Sequence, residues 1–246
     1  MRILGVRVDD VTYDEAVHRI QELIASGSSH LVTTPNPEIV MAARVRPDFR
    51  DVLNRATLNI PDGVGLLLAA RLRGERFREH VRGTDLVERL AAVAGRKGQR
   101  WFLLGADEGV AQEAATALQR RHPGLVIAGA DAGSPHERDD PAVRERISRA
   151  GRVDVILVAY GAERQELWMA RNLAALGIPV GIGVGGVFNF IAGRVPRAPV
   201  WMRRLELEWL HRLMRQPSRW RRQLALPRFL WLALQEAMTL RGGSAA

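Results

Sequence analysis

The 246-residue chain contains no cysteine. That excludes disulfides, thiolate metal centres and a cysteine nucleophile, and it is compatible with a reducing cytosol. Lysine is almost missing as well: Lys97 is the single one among 36 Lys and Arg residues, so the positive charge is carried by guanidinium groups. No run reaches the roughly 18 consecutive apolar residues of a membrane-crossing helix, so membrane contact is expected to be peripheral. The apolar start Ile3 to Val8 is broken by Arg7 and followed by Asp9 and Asp10, which does not read as a signal peptide. The six histidines are scattered without a His-Glu-x-x-His. There is no Gly-x-Ser-x-Gly and no Asp-x-Asp of the kind a metal-dependent transferase would carry. The adjacent acids Asp9-Asp10 and Asp139-Asp140 read as solvated loop residues, and no metal or other cofactor is expected.

What is present is unevenly distributed. Residues 194–246 hold 11 Arg against 3 Glu, a net charge of +8, whereas residues 1–193 come to +1. Four of the six tryptophans, Trp201, Trp209, Trp220 and Trp231, also fall in this last stretch. Composition therefore divides the chain into a nearly neutral body, 1–193, and a basic, Trp-rich helical C-terminal appendage, 194–246. In the appendage, Trp209, Leu210, Leu213 and Met214 recur at helical spacing. Pro217 should divide two helices, a last amphipathic stretch should start near Pro227, and residues 242–246 read as a frayed end.

The body alternates short apolar runs with helix-period segments. Strands are expected at Ile3–Val8, Leu31–Thr34, Leu58–Ile60, Trp101–Leu104, Leu125–Ala128, Val153–Val158 and Val180–Ile182. Helices are expected after Thr12, whose spacing to Glu15 suits a capping box, and at Glu38–Ala43, Thr84–Ala94 and Gly109–Arg121. Apolar strands separated by helices indicate an α/β, Rossmann-like body with a mainly parallel sheet covered on both faces.

In such sheets ligands sit beyond the carboxyl ends of the strands, which directs attention to four loops. Thr33-Thr34-Pro35-Asn36 offers hydroxyls and an amide to a sugar or nucleotide; the same residues suit a helix cap. Ile60-Pro61-Asp62-Gly63 presents a carboxylate beside glycine, fit to take a proton from a bound hydroxyl; Pro-Asp-Gly is equally an ordinary turn. Gly105-Ala106-Asp107-Glu108-Gly109 lacks the spacing of a phosphate loop and carries two acids, so it reads as a plain connection. Gln165 precedes a glycine-rich run, Gly181 to Gly186, that permits close chain approach or a packed central strand. Two other classes stay open on residues alone. A dinucleotide-binding enzyme is disfavoured by the missing Gly-x-Gly-x-x-Gly, and a basic nucleic-acid-binding protein would use the Arg and Trp of the appendage.

Taken in order, these segments resemble the WecG/TagA/CpsF glycosyltransferases (glycosyltransferase family 26). The resemblance runs from about Leu31 to Phe229. It is carried by Thr-Pro-Asn-Pro-Glu at 34–38, Ile-Pro-Asp-Gly-Val-Gly at 60–65, Val-Arg-Gly-Thr-Asp-Leu at 81–86, Gln165-Glu166, Gly-Val-Gly-Gly-Val-Phe at 183–188, Arg-Ala-Pro at 197–199, Leu-Glu-Trp-Leu-His-Arg-Leu at 207–213 and Pro-Ser-Arg-Trp-Arg-Arg at 217–222. It implies a GT-E-like fold and an inverting, metal-independent transferase. The sugar, N-acetylmannosamine or a related hexose, would pass from UDP to a polyprenyl-diphosphate-linked N-acetylglucosamine. By the same resemblance Asp62 is the base, Thr34, Asn36 and Gln165 shape the site with Arg82 beside them, and Arg212, Arg219 and Arg222 close over the diphosphate. Guanidinium forks suit phosphate, and Arg beside Trp and Leu suits an anionic bilayer. The expected location is therefore the inner face of the membrane, with no nucleic-acid partner; a mobile appendage would uncover an apolar groove able to form homo-oligomers. Glu163-Arg164, Asn189 and Gly133-Ser134-Pro135 depart from the family's usual residues, in loops that bear on the donor sugar.

Overall fold

In a computed structural model of the chain, the described residues are 1–215, 220 and 224–243. A six-stranded sheet forms the centre. Its strands are β3 (His30–Thr33), β4 (Leu58–Asn59), β5 (Arg100–Gly105), β6 (Val126–Asp131), β7 (Val155–Ala159) and β8 (Val180–Gly183). They lie in the order β4-β3-β8-β7-β5-β6, and every neighbouring pair is parallel. Parallel strands need crossovers, which place helices on the faces and bury both sides of each strand.

The period of two sorts the side chains between those faces. Trp101 and Leu103 of β5 join α1 (Tyr13–Ala25), α5 (Gly83–Lys97), α6 (Val110–Arg121) and α9 (Val187–Ile191) in one core. Phe102 and Leu104 face the other way, into a core with α7 (Asp140–Arg149) and α8 (Arg164–Leu176). The expected capping box is present: Thr12 Oγ1 accepts from Glu15 N at 3.3 Å, and Glu15 returns the bond to Thr12 N at 3.2 Å.

A third core lies beside the sheet, where α2 (Pro37–Val45), α3 (Pro47–Arg55) and α4 (Val64–Leu72) meet the N-terminal segment and the last helix, α12 (Ala225–Gly243). Phe229 and Ala233 of α12 are fully buried there. Glu236, one turn further on, accepts from Leu4 N at 3.2 Å and from Arg73 Nη1 at 3.0 Å. Across the compositional shift at Gly193, the chain thus passes through α10 (Val200–Arg204) and α11 (Glu208–Arg215) and then returns to pack against the body.

Several expectations are corrected. Ile3–Val8 is a hairpin, β1 (Arg2–Ile3) and β2 (Val6–Arg7), because Leu4 and Gly5 both take positive φ (49° and 84°) and reverse the chain. Helices α3 and α4 were not anticipated; both are short, α3 following α2 with only Arg46 between them and α4 following β4 after the 60–63 loop. The last helix starts at Ala225, so Pro227 lies in its first turn, where a missing N–H costs nothing. The paired acids are engaged rather than solvated: Asp9 accepts from Asn59 N at 2.8 Å, Asp10 holds Arg78, and Asp140, 4% exposed, holds Arg171. Pro217 lies outside the described residues.

Candidate active site

The carboxyl ends of β3, β4, β5, β7 and β8 open onto one cleft of about 440 Å³, lined by Thr34, Asn36, Asp62, Arg82 and Gln165 among others. Five of the residues singled out in the sequence therefore meet, although they span 131 positions from Thr34 to Gln165.

The loops that carry them brace one another. Asn36 caps α2, its Oδ1 accepting from Ile39 N at 3.0 Å, so the capping role is real and coexists with a place on the cleft wall. Thr34 Oγ1 donates to Gly183 O at 3.0 Å, and Asp62 N donates to Pro35 O at 2.8 Å. Gln165 is 2% exposed, and both ends of its amide are used: Nε2 donates to Glu166 Oε1 at 2.8 Å and Oε1 accepts from Gly185 N at 3.0 Å. Glu166 is fully buried, and burial pushes its carboxyl up to about 7 against the hydrogen bond from Gln165.

Asp62 does not cap α4. The cap position is Gly63, whose φ of 85° requires glycine, and no side chain bonds the helix start. The carboxylate is left at the cleft, 35% exposed, with His80 Nε2 at 3.9 Å. That distance is too long for a hydrogen bond, so Asp62 attracts the ring through charge only when the ring is protonated. Gly63 N–H instead donates to His80 Nε2 at 3.2 Å, while His80 Nδ1 stands 2.7 Å from Glu206 Oε2. This pattern assigns the ring proton to Nδ1. Burial of the ring opposes a positive charge, but Asp62 and then Glu206 outweigh it and hold the histidine above its ordinary value.

Arg82 stands at the start of α5, its backbone N–H donating to the Tyr13 hydroxyl at 2.8 Å. Its guanidinium bonds Arg203 O and Glu206 Oε1, each at 2.8 Å, and lies 3.6 Å from Glu208 Oε2. Asp85, in the first turn of α5, holds Arg197 in a two-pronged pair at 2.6 and 3.1 Å. Burial raises Asp85, yet the Arg197 fork prevails and keeps the carboxyl below its usual range. Two motifs more than a hundred residues apart, Val-Arg-Gly-Thr-Asp-Leu and Arg-Ala-Pro, thus meet as an ion pair.

His80, Glu206 and Glu208 were missed in the sequence. His80 is one of six dispersed histidines, and the two acids sit in a stretch read for its arginines. Their signal was present: they are two of the only three acids after position 193. Of the basic residues expected over the cleft, Arg212 lies on α11 with its side chain outside the described part, and Arg219 and Arg222 lie outside the described residues. Among the described residues no three His, Asp or Glu side chains gather as a metal site, and no helix is long and apolar enough to cross a membrane.

The sequence profile described as the glycosyl transferase WecG/TagA/CpsF family matches residues 1–243. Similar curated proteins include the N-acetylglucosaminyldiphosphoundecaprenol N-acetyl-beta-D-mannosaminyltransferase of Bacillus subtilis (strain 168), 36% identical over 206 residues, covering 84% of this chain and 79% of that protein. The protein of the same name from Staphylococcus aureus (strain MW2) is 31% identical over 231 residues, covering 93% and 90%. With the parallel sheet and the converging loops already in place, a match over nearly its whole length makes the chain a member of the WecG/TagA/CpsF family of glycosyl transferases.

Proposed function

We propose that the protein transfers N-acetylmannosamine, or a related hexose, from a UDP-sugar to a polyprenyl-diphosphate-linked N-acetylglucosamine, with Asp62 as general base. The observation that carries this reading is the state of Asp62: a carboxylate at the end of a parallel sheet, released from helix capping, facing a cleft walled by Thr34, Asn36 and Gln165. The names of the relatives supply the acceptor and sugar classes.

In the reaction, Asp62 takes the proton of the acceptor hydroxyl as its oxygen attacks the anomeric carbon. The bond from that carbon to the diphosphate oxygen breaks on the opposite face, UDP departs with its electron pair, and configuration inverts. Asp62 then loses its proton to water. Gln165 and Thr34, pinned by buried hydrogen bonds, keep their shape as the charge moves, which is what preorganised polar groups contribute. Arg212, Arg219 and Arg222 would neutralise the departing diphosphate without a metal ion.

Ten of the twelve large hydrophobic side chains exposed among the described residues fall at or after Val200, including Trp201, Leu205 and Trp231. Together with the basic composition, this supports docking on an anionic membrane surface at its inner face, where a polyprenyl acceptor is within reach. Asp62→Asn is expected to abolish UDP release from the UDP-sugar while leaving the melting temperature unchanged; wild-type turnover in that variant would overturn the base assignment. Turnover should persist in a chelator. Trp201→Ser/Trp231→Ser should weaken co-sedimentation with anionic vesicles.

A further inference from the structure

Among the described residues, the cleft wall carries more negative than positive charge. Among the described residues its lining includes five carboxylates, Glu38, Asp62, Asp107, Glu206 and Glu208, against two basic side chains, His80 and Arg82. A sugar nucleotide carries two negative charges on its diphosphate, and like charges brought together in a partly dry cleft repel strongly. Both of these basic groups are already engaged. Glu206 reaches both at once, with Oε2 2.7 Å from His80 Nδ1 and Oε1 2.8 Å from Arg82 Nη2. One carboxylate thus bridges two donors, the geometry a phosphate oxygen pair would adopt.

The backbone at Glu206 supports the same view. Glu206 has φ of 60°, in the left-handed region that a residue with a side chain enters at a cost. It lies between α10 and α11, and its backbone N–H bonds only locally, to Arg203 O at 3.2 Å. The carboxylate is therefore carried into the cleft by a connection with a strained backbone.

We infer that His80 and Arg82 form a seat for the donor's diphosphate, and that Glu206 occupies this seat in the substrate-free protein and is displaced when the diphosphate binds. The inference rests on the UDP-sugar reading for the identity of the donor, but the seat itself requires only a diphosphate. Displacement exchanges one anion for another on the same two groups, so His80 and Arg82 stay paired throughout. It also frees the 205–208 connection at the moment the donor arrives, and with it the start of α11, which bears Arg212.

The test turns on a sign. Glu206→Gln keeps the side chain's size and removes its charge. If Glu206 competes with the ligand, inorganic pyrophosphate and UDP should both bind this variant about tenfold more tightly than wild type, as removal of an internal competitor requires. Calorimetric titration at fixed salt reads this directly. Adding Arg82→Gln to Glu206→Gln should abolish the gain. In wild type, the ring signals of His80 should move on pyrophosphate addition as the ring passes from carboxylate to phosphate. Unchanged or weaker binding by Glu206→Gln would overturn the inference, since Glu206 would then be neutral to the ligand or part of its site. Unmoved His80 signals at saturating pyrophosphate would overturn it even if the variant were misfolded. Tighter pyrophosphate binding without any turnover of UDP-sugars would leave the seat standing and refute the donor assignment instead.

Discussion

Gly65 is the point where the Asp62 loop, the Asn36 loop and the last helix touch, and its replacement by alanine tests whether that contact supports the site. A Cβ at Gly65 would stand 2.4 Å from Pro37 Cγ and 2.8 Å from Leu226 Cδ1. Leu226 can rotate away, whereas the Pro37 ring is fixed at the start of α2 and cannot. One methyl group forced into such a contact costs about 1–3 kcal/mol. For a chain of this length that corresponds to a fall of about 2–12 °C in melting temperature, read by scanning calorimetry. The strain falls between α2 and α4, so it pushes Asn36 and Asp62 apart, and turnover should drop beyond what the lost stability explains. Pro37→Ala removes the ring carbon at 2.4 Å and leaves a contact of 3.5 Å, so Pro37→Ala/Gly65→Ala should recover most of both losses, a coupling that a double-mutant cycle measures. A Gly65→Ala protein with wild-type melting temperature and turnover would refute the reasoning.

Three further outcomes are expected. Phe229→Ala removes a fully buried ring from the core shared by α2, α4 and α12 and should destabilise by about 3–5 kcal/mol in chemical denaturation; a loss below about 1 kcal/mol would mean that the last helix is not seated there. His80 is held above its unfolded value, so its pairing stabilises the fold fully below about pH 6.5 and loses that contribution as pH rises through the folded value; Glu206→Gln should flatten this slope in a pH series of melting temperatures. Glu166, raised to about 7 by burial, binds a proton in the folded state that the unfolded chain releases near its ordinary 4.5, so stability should fall between those two pH values; Glu166→Gln should remove that fall, and an unchanged slope would show that another group causes it.

The sheet was legible because buried parallel strands leave apolar runs such as Trp101–Leu104 and Val155–Val158 that little else produces. The positions of Thr34, Asn36, Asp62, Arg82 and Gln165 on one cleft were legible because each follows a strand end or opens a helix, and the fold brings those ends together. Beyond that, local pattern failed where tertiary contacts decide. Ile3–Val8 has the composition of one strand but turns at Leu4, where Glu236 from the far end of the chain receives the backbone N–H. The pairing of His80 with Glu206 has no sequence signature, because it exists only once the segment after α10 has folded across α5. The place of Arg82 on the cleft was foreseen by resemblance; that its partner would be an acid from the basic end was not.

The cleft has two walls built by different means. One is the ring of strand-end loops, joined by uncharged hydrogen bonds from Thr34 to Gly183, Asp62 to Pro35 and Gly185 to Gln165. The other is the 194–208 segment, attached to α5 and its approach through Arg197–Asp85, Arg82–Glu206 and His80–Glu206. Ionic strength acts on the second kind of joint far more than on the first. Added salt is thus a selective tool: it loosens one wall while the other keeps its shape, and amide exchange should quicken after position 194 at salt concentrations that leave the turn at Asp62 protected.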